Sequence, residues 1–257
     1  MTAALDLAGL WKTFGSKTAV QDLSLMVPPG VLFGLVGPNG AGKTTTLSMA
    51  TGLLRPDQGE VRVLGIDVWH DPPAAKALMG VMPDGMRLFD RLSGRELLRY
   101  VGLLRSMDPG EVERRSGELF DALGLTEDAD TVVTDYSAGM TKKVSLACAL
   151  LHGPSILVLD EPFESVDPVS GEMVREILRG YVAAGGTVIL SSHVMELVEQ
   201  LCDGVGVVAG GRVLAVGPTA EVCRGIPLQQ RFLQLVGGPT SGERRGLEWL
   251  RFSSGSN

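Results

Sequence analysis

Hydrophobic residues recur along the chain at two spacings, one typical of strands and one typical of helices. Segments 5–10 and 19–27 have the character of short strands. The continuous apolar run Val31–Val36 has the length of a buried strand and ends in a glycine-rich loop. A helical pattern at 42–54 and strand-like alternation at 59–64 follow. This first third of the chain is therefore predicted to be α/β.

The pattern changes to helix between residues 84 and 151. Ser93 and Glu96 have the spacing of a capping box ahead of an apolar stripe. Asp108, followed by proline, predicts the start of a second helix. A third helix is expected from about Gly139 to Leu151.

The α/β pattern resumes after residue 151. Strands are predicted at 156–159 and 187–190, and helices near 173–182 and 194–201. A glycine pair within 204–216 predicts a hairpin. The middle block is therefore read as a helical insertion in an α/β core.

Charge and hydropathy exclude several classes of protein. The chain has 23 Lys and Arg against 30 Asp and Glu, a formal net charge of −7, which offers no basic surface for nucleic acid. No apolar run approaches the roughly 20 residues of a membrane-spanning helix. Residues 1–10 carry Asp6 and lack the basic start of a signal peptide. A cytoplasmic protein without a nucleic-acid partner is expected.

The strongest chemical motif spans residues 37–44, which fit G-x-x-x-x-G-K-[ST] between a strand and a helix. Backbone N–H groups of such a loop surround phosphate oxygens, Lys43 reaches the outer phosphates, and the Thr44 hydroxyl ligates magnesium. A P-loop alone leaves kinase, GTPase and ATPase open. The predicted nucleotide-binding residues here are Gly37, Pro38, Asn39, Gly40, Ala41, Gly42, Lys43, Thr44 and Thr45.

A second motif is the pair of acids that ends the strand at 156–159. Such a strand is weak evidence alone, but beside a P-loop Asp160 is placed to hold magnesium through water. Glu161 is placed to polarise the attacking water and receive its proton. The Asn-Lys-x-Asp motif of the common GTPases is missing, because asparagine occurs only at 39 and 257.

With these residues the chain resembles the ATP-binding cassette ATPases from Leu5 to about Val222. Six motifs occur in family order. They are Phe14, the P-loop, the loop at Asp84, the signature Tyr136-Ser137-Ala138-Gly139-Met140, the pair Asp160-Glu161, and Ser165-Val166-Asp167 followed by His193.

The resemblance implies a role for each motif. Phe14 would stack on adenine, Glu161 and His193 would be catalytic, and Asp167 would lie at a dimer interface. The signature residues Ser137, Ala138, Gly139 and Met140 would face the γ-phosphate bound by the opposite subunit. Read alone, Ser137 is a helix cap and His193 precedes a capped helix. The implied assembly is a head-to-tail pair of cassettes, a homodimer in preference to a heterodimer, with two ATP molecules between them.

Two positions depart from the family pattern. Asp84 and Met140 stand where most relatives have glutamine. Aspartate still offers oxygen to a metal, so the implied Mg²⁺ ligands are Thr44, Asp84 and Asp160. These departures resemble the branch that serves multi-pass export permeases.

The resemblance implies a P-loop NTPase (RecA-like) core with an N-terminal antiparallel β-subdomain and an inserted helical subdomain. The boundaries are 1–83 and 153–225 for the ATP-binding core, 84–152 for the helical subdomain, and 226–257 for a flexible tail.

The expected function is ATP hydrolysis that powers a separate membrane permease, which would hold the chain at the cytoplasmic face of the membrane. Phe89, Arg91 and Leu92 would lie near the permease contact. The alternative is a non-transport cassette ATPase acting on a soluble macromolecule, but this chain has one cassette and no heptad run. A P-loop kinase would not need the signature.

Overall fold

The computed structural model describes residues 2–85 and 88–237. In chain order the strands are β1 (Leu5–Phe14), β2 (Lys17–Val27), β3 (Leu32–Val36), β4 (Gln58–Val63), β5 (Ile66–Asp67), β6 (Met79–Met82), β7 (Ile156–Leu159), β8 (Thr187–Ser192), β9 (Gly204–Ala209) and β10 (Arg212–Pro218). The helices are α1 (Lys43–Ala50), α2 (Pro72–Ala77), α3 (Gly94–Leu104), α4 (Pro109–Ala122), α5 (Ala138–Leu150), α6 (Pro168–Ala183), α7 (Met195–Leu201), α8 (Thr219–Cys223) and α9 (Leu228–Leu235), with a short 3₁₀ turn at Val133–Asp135.

The N-terminal sheet has the strand order β2-β1-β4-β5 and is antiparallel. Strands β1 and β2 form a hairpin that pairs Leu5 with Val27 and Phe14 with Lys17. The turn between them contains Gly15 at a φ of +58°, which favours glycine. This sheet confirms the antiparallel β-subdomain.

The second sheet has the order β10-β9-β3-β8-β7-β6. Strands β9, β3, β8, β7 and β6 run parallel, and β10 pairs with β9 in the antiparallel direction. All residues of β3, β7 and β8 are buried, as expected for strands covered on both faces. Because parallel strands end at one edge, the loops after β3, β6, β7 and β8 lie next to one another.

Helices α3, α4 and α5 pack together between β6 and β7 in the chain. The capping box is present: Glu96 N–H donates to Ser93 Oγ at 3.2 Å, and Ser93 N–H donates to Glu96 Oε2 at 2.8 Å. Asp108 caps α4 by accepting from the N–H groups of residues 110 and 111. Buried apolar side chains, including Leu97 and Phe120, join these helices to the core beside the large sheet. The helical insertion predicted from the sequence is therefore observed.

The range 226–257, predicted to be a flexible tail, begins with an ordered helix. Helix α9 packs against α7 and α8, and Leu228 is fully buried. The Leu228 N–H also donates to Glu199 Oε2 at 2.8 Å. The prediction is corrected for this helix, because its apolar side has a surface to pack against. Residues 238–257 lie outside the described residues.

Within residues 2–85 and 88–237, no helix is both long enough and apolar enough to span a bilayer.

Candidate functional site

A cleft of about 420 Å³ lies where the loops after β3, β6, β7 and β8 meet. It brings together eleven residues predicted from the sequence: Phe14, Asn39, Gly40, Ala41, Gly42, Lys43, Thr44, Thr45, Asp84, Glu161 and His193. The sequence reasoning missed Lys17, Ala19 and Glu164, which also line it. Lys17 could have been found from its place opposite Phe14 across a tight hairpin.

The P-loop depends on glycines whose positions exclude a side chain. Gly40 and Gly42 have φ values of +79° and +105°. A Cβ atom on Gly37 would lie 2.1 Å from the Val208 carbonyl oxygen, and one on Gly42 would lie 2.6 Å from that of Ala19. Gly42 is the N-cap of α1, so the loop leads directly into a helix N-terminus, where N–H groups favour anions.

Lys43 is buried at the floor of the cleft, with 6% of its surface exposed. Its Nζ donates to the Gly37 carbonyl oxygen at 2.8 Å and lies 3.4 Å from Glu161 Oε1. The P-loop ammonium is therefore held against the acid that follows β7. A phosphate group entering the cleft would meet both.

The two acids after β7 occupy different environments. Asp160 is 4% exposed and does not line the cleft as the described residues form it; its carboxylate accepts a hydrogen bond from Ser191 Oγ. Glu161 faces the cleft, and its N–H donates to the same Ser191 Oγ at 2.9 Å. Of the two acids that follow β7, Asp160 is therefore buried outside the cleft lining and Glu161 lines the cleft.

His193, after β8, completes the contacts of the Glu161 carboxylate. Its Nδ1 lies 3.0 Å from Glu161 Oε2. With Lys43 at Oε1, the carboxylate is bracketed by two nitrogen donors when His193 carries a proton on Nδ1. This is the geometry expected of a base oriented by its neighbours.

Phe14 and Asp84 stand at other parts of the cleft wall. The Phe14 ring is 50% exposed, and Lys12 Nζ lies 5.8 Å from its centroid. Such a ring offers a flat surface for a base. Asp84 Oδ1 accepts a hydrogen bond from Lys142 Nζ at 3.1 Å.

The signature residues do not line the cleft as the described part of the chain forms it. Ser137 caps α5 by accepting from the Met140 N–H at 3.2 Å, and Ser137 and Ala138 are exposed. Asp167 is likewise outside the cleft lining and caps α6. Hydrogen bonds from Ser170 lower the pKa of the Asp167 carboxyl below its ordinary value. Gly37 and Pro38, at the start of the P-loop, do not line the cleft either.

The oxygen donors of the site suit magnesium bound together with phosphates. Thr44 is exposed at the cleft, and Asp160 offers a carboxylate behind it. Within the described ranges, His, Cys, Asp and Glu side chains form no cluster of three or more that could hold a metal by themselves. Mg²⁺ usually keeps several waters and shares substrate phosphates, so one hydroxyl and one carboxylate are a fitting donor set.

Comparisons with known proteins agree with this geometry. Residues 20–164 match the family model described as ABC transporter. The linearmycin resistance ATP-binding protein LnrL of Bacillus subtilis is 36% identical over 219 residues, covering 85% of this chain and 70% of that protein. The daunorubicin/doxorubicin resistance ATP-binding protein DrrA of Streptomyces peucetius is 38% identical over 221 residues, covering 86% and 67%.

Two further comparisons extend the agreement. The Nod factor export ATP-binding protein I of Cupriavidus metallidurans is 36% identical over 222 residues, covering 86% of this chain and 73% of that protein. A solved structure described as the ATP binding subunit of an ABC transporter superposes with a TM-score of 0.84 at 27% identity. It covers 91% of this chain and 99% of its own.

Proposed function

Since the chain belongs to the ABC transporter family as an ATP-binding and ATP-hydrolysing subunit, we propose that it powers outward transport of a small molecule through a separate membrane permease. The support for export is that relatives are named for resistance to linearmycin and daunorubicin/doxorubicin and for Nod factor export. The observation that carries the ATPase role is Glu161, held between Lys43 and His193 in a P-loop cleft.

The proposed reaction is hydrolysis of the γ-phosphate of ATP. Phe14 stacks on adenine, and the N–H groups of the P-loop with Lys43 grip the phosphates. A water oxygen bonds to the γ-phosphorus and its proton passes to the Glu161 carboxylate. The bond from the γ-phosphorus to the bridging oxygen breaks, and ADP leaves with that electron pair.

His193 is proposed to orient the base, because its Nδ1 already contacts the Glu161 carboxylate. Thr44 and Asp160 would hold Mg²⁺, with Asp84 as a further oxygen near the same cleft. When bound, the ion would supply positive charge that stabilises the negative charge developing on the phosphate oxygens.

We assign the ATP-binding core to 1–83 and 153–225 and the helical subdomain to 84–152. Two identical chains are proposed to pair head to tail. The support is that Ser137, Ala138 and Asp167 are exposed on this chain and do not line its own cleft. In such a pair the α5 N-terminus would meet the other chain's γ-phosphate.

Replacing Glu161 by glutamine tests the proposal. The amide keeps the shape but cannot accept the proton, so hydrolysis should stop while ATP binding persists. ATP that contacts both chains would then stabilise the dimer. Size-exclusion chromatography with light scattering, run with Mg-ATP, should give the mass of two chains for Glu161→Gln.

The matched control is Glu176→Gln on the exposed side of α6, which should hydrolyse ATP as the wild type does. A Glu161→Gln chain that still hydrolyses ATP would contradict the assignment of the base. A variant that is inactive but monomeric at saturating ATP would contradict the homodimer.

A further inference from the structure

Lys142, near the start of α5, contacts two residues that line this chain's own cleft. Its Nζ lies 3.1 Å from Asp84 Oδ1 and 3.1 Å from the backbone carbonyl oxygen of Glu161. Its side chain is only 19% exposed. One ammonium thus joins the loop after β6, the segment after β7 and the signature helix.

The Glu161 backbone has an unusual conformation that must be held by its neighbours. Its φ is +48°, in the left-handed region that residues other than glycine seldom adopt. On one side its N–H donates to Ser191 Oγ. On the other side its carbonyl oxygen accepts from Lys142 Nζ and from the Glu164 N–H at 3.2 Å. Lys142 is the side-chain contact of that carbonyl.

Charge around the cleft gives Lys142 a second effect. Asp84, Glu161 and Glu164 all line the cavity that accepts a polyphosphate. The Lys142 ammonium pairs with Asp84 and reduces the negative potential on that wall. Because Asp84 Oδ1 accepts from Lys142 Nζ, Asp84 also anchors the lysine.

We propose that Lys142 is a positioning residue for ATP hydrolysis. It holds the Glu161 carbonyl, and so the direction of the Glu161 carboxylate, with Asp84 as its anchor. This inference rests on the proposed function of the cleft. It also gives α5 two roles, since the helix is capped by the exposed signature residue Ser137 and supports the base of its own chain through Lys142.

The test compares Lys142→Gln and Lys142→Arg in the full chain, with Lys76→Gln on the exposed part of α2 as the control. Lys142→Gln should lower kcat by about 10- to 100-fold, since small misplacement of a catalytic group has effects of this size. The thermal midpoint should stay near the wild-type value. ATP binding should weaken by much less than kcat falls, because the P-loop that grips the phosphates is untouched. Lys142→Arg should recover most of the rate, and Lys76→Gln should match the wild type.

A double-mutant cycle with Asp84→Asn tests the anchor. The double variant Asp84→Asn/Lys142→Gln should be no slower than Lys142→Gln, since both changes remove one interaction. Three results would overturn the inference: a normal kcat in Lys142→Gln, a loss of ATP affinity in that variant as large as its loss of kcat, or additive losses of kcat in the double variant. In each of those cases the proposed function stands if the wild type hydrolyses ATP and Glu161→Gln does not. An inactive wild type would reject the function itself.

Discussion

Glu161 is positioned by four side chains from three parts of the chain: the P-loop, α5 and the end of β8. Lys43 and His193 contact its carboxylate, while Ser191 and Lys142 hold its main chain. Its backbone lies in a region that is unfavourable for a glutamate. The orientation of this proposed base is therefore a property of the tertiary structure, and it should be sensitive to changes in residues that never touch ATP.

Lys43→Ala should remove most nucleotide affinity. The buried ammonium lies beside the P-loop carbonyls, and its contact with a bound phosphate would be a charge-assisted hydrogen bond. We expect about 10- to 100-fold weaker ATP binding. Isothermal titration with Mg-ATP measures this, with Lys76→Gln as the control. Unchanged binding in Lys43→Ala would be incompatible with the P-loop assignment.

Residues of the site could be predicted from the sequence where the signal is local. The P-loop and Asp160-Glu161 each occupy a short segment with a recognisable strand beside it. The contact between Asp84 and Lys142 spans 58 residues and depends on how α5 packs, so no local pattern indicates it. The same holds for Glu164, which reaches the cleft because of the turn after β7.

At the scale of elements, caps made the helix boundaries predictable. Ser93 and Asp108 begin α3 and α4 as their sequence patterns indicate. Helix α9 was missed because eight residues of helical pattern carry little information when a Gly- and Ser-rich segment follows. Its packing against α7, with buried Leu228, supplies the stability that its short sequence does not.

The turn after α5 contains a histidine, His152, whose protonation opposes folding. His152 Nε2 lies 3.1 Å from the Met79 carbonyl oxygen, which fixes the proton on Nε2 in the neutral ring. Nδ1 is buried and has no hydrogen-bond partner in the part of the chain that the structure describes. Burial, followed by the charge of Arg105, lowers the pKa of His152 to about 4 from 6.5.

This pKa predicts a pH dependence of stability. Between pH 6.5 and 4 the unfolded chain binds a proton at His152 that the folded chain does not, so the free energy of unfolding falls as the pH falls. The contribution is fully present above pH 6.5. Allowing for solvent screening of this partly exposed ring, we expect a loss on the order of 1 kcal/mol.

Urea unfolding at several pH values checks this prediction. His152→Gln should show a shallower slope than the wild type between pH 6.5 and 4, because it has no group to titrate there. His70→Gln, which removes an exposed histidine, should keep the wild-type slope. Equal slopes in His152→Gln and the wild type would show that the ring does not resist protonation.

Across the whole molecule, strand order decides which loops meet. The order β9-β3-β8-β7-β6 sets the P-loop, His193, Glu161 and Asp84 at one edge of the sheet. Periodicity predicts the strands but not their order. The prediction that these residues form one site therefore rested on the family resemblance. The proposed pairing of two chains is equally beyond a local pattern, since the signature residues do not line the cleft of their own chain.

The helical block also carries an exposed apolar surface away from the cleft lining. It consists of Phe89, Tyr100, Leu103 and Leu104, which are 58%, 40%, 48% and 66% exposed. Phe89 and Tyr100 make an edge-to-face contact with centroids 4.9 Å apart. Tyr100, Leu103 and Leu104 have i, i+3 and i+4 spacing and share one side of α3. Exposed apolar groups of this kind favour a protein partner, and Phe89 was expected near the permease contact.

Changing this surface should separate coupling from hydrolysis. The double variant Phe89→Ser/Leu104→Ser should keep the basal ATPase rate of the isolated chain, because neither residue lines the cleft formed by the described residues. In membranes with the permease, the stimulated rate should fall by about tenfold or more, since buried aromatic and leucine anchors dominate many interfaces. Met26→Ser is the matched control. Met26 is 63% exposed on strand β2 of the β-subdomain, outside the helical block, so the change should leave stimulation unchanged. Full stimulation in the double variant would place the permease contact on another surface of the chain.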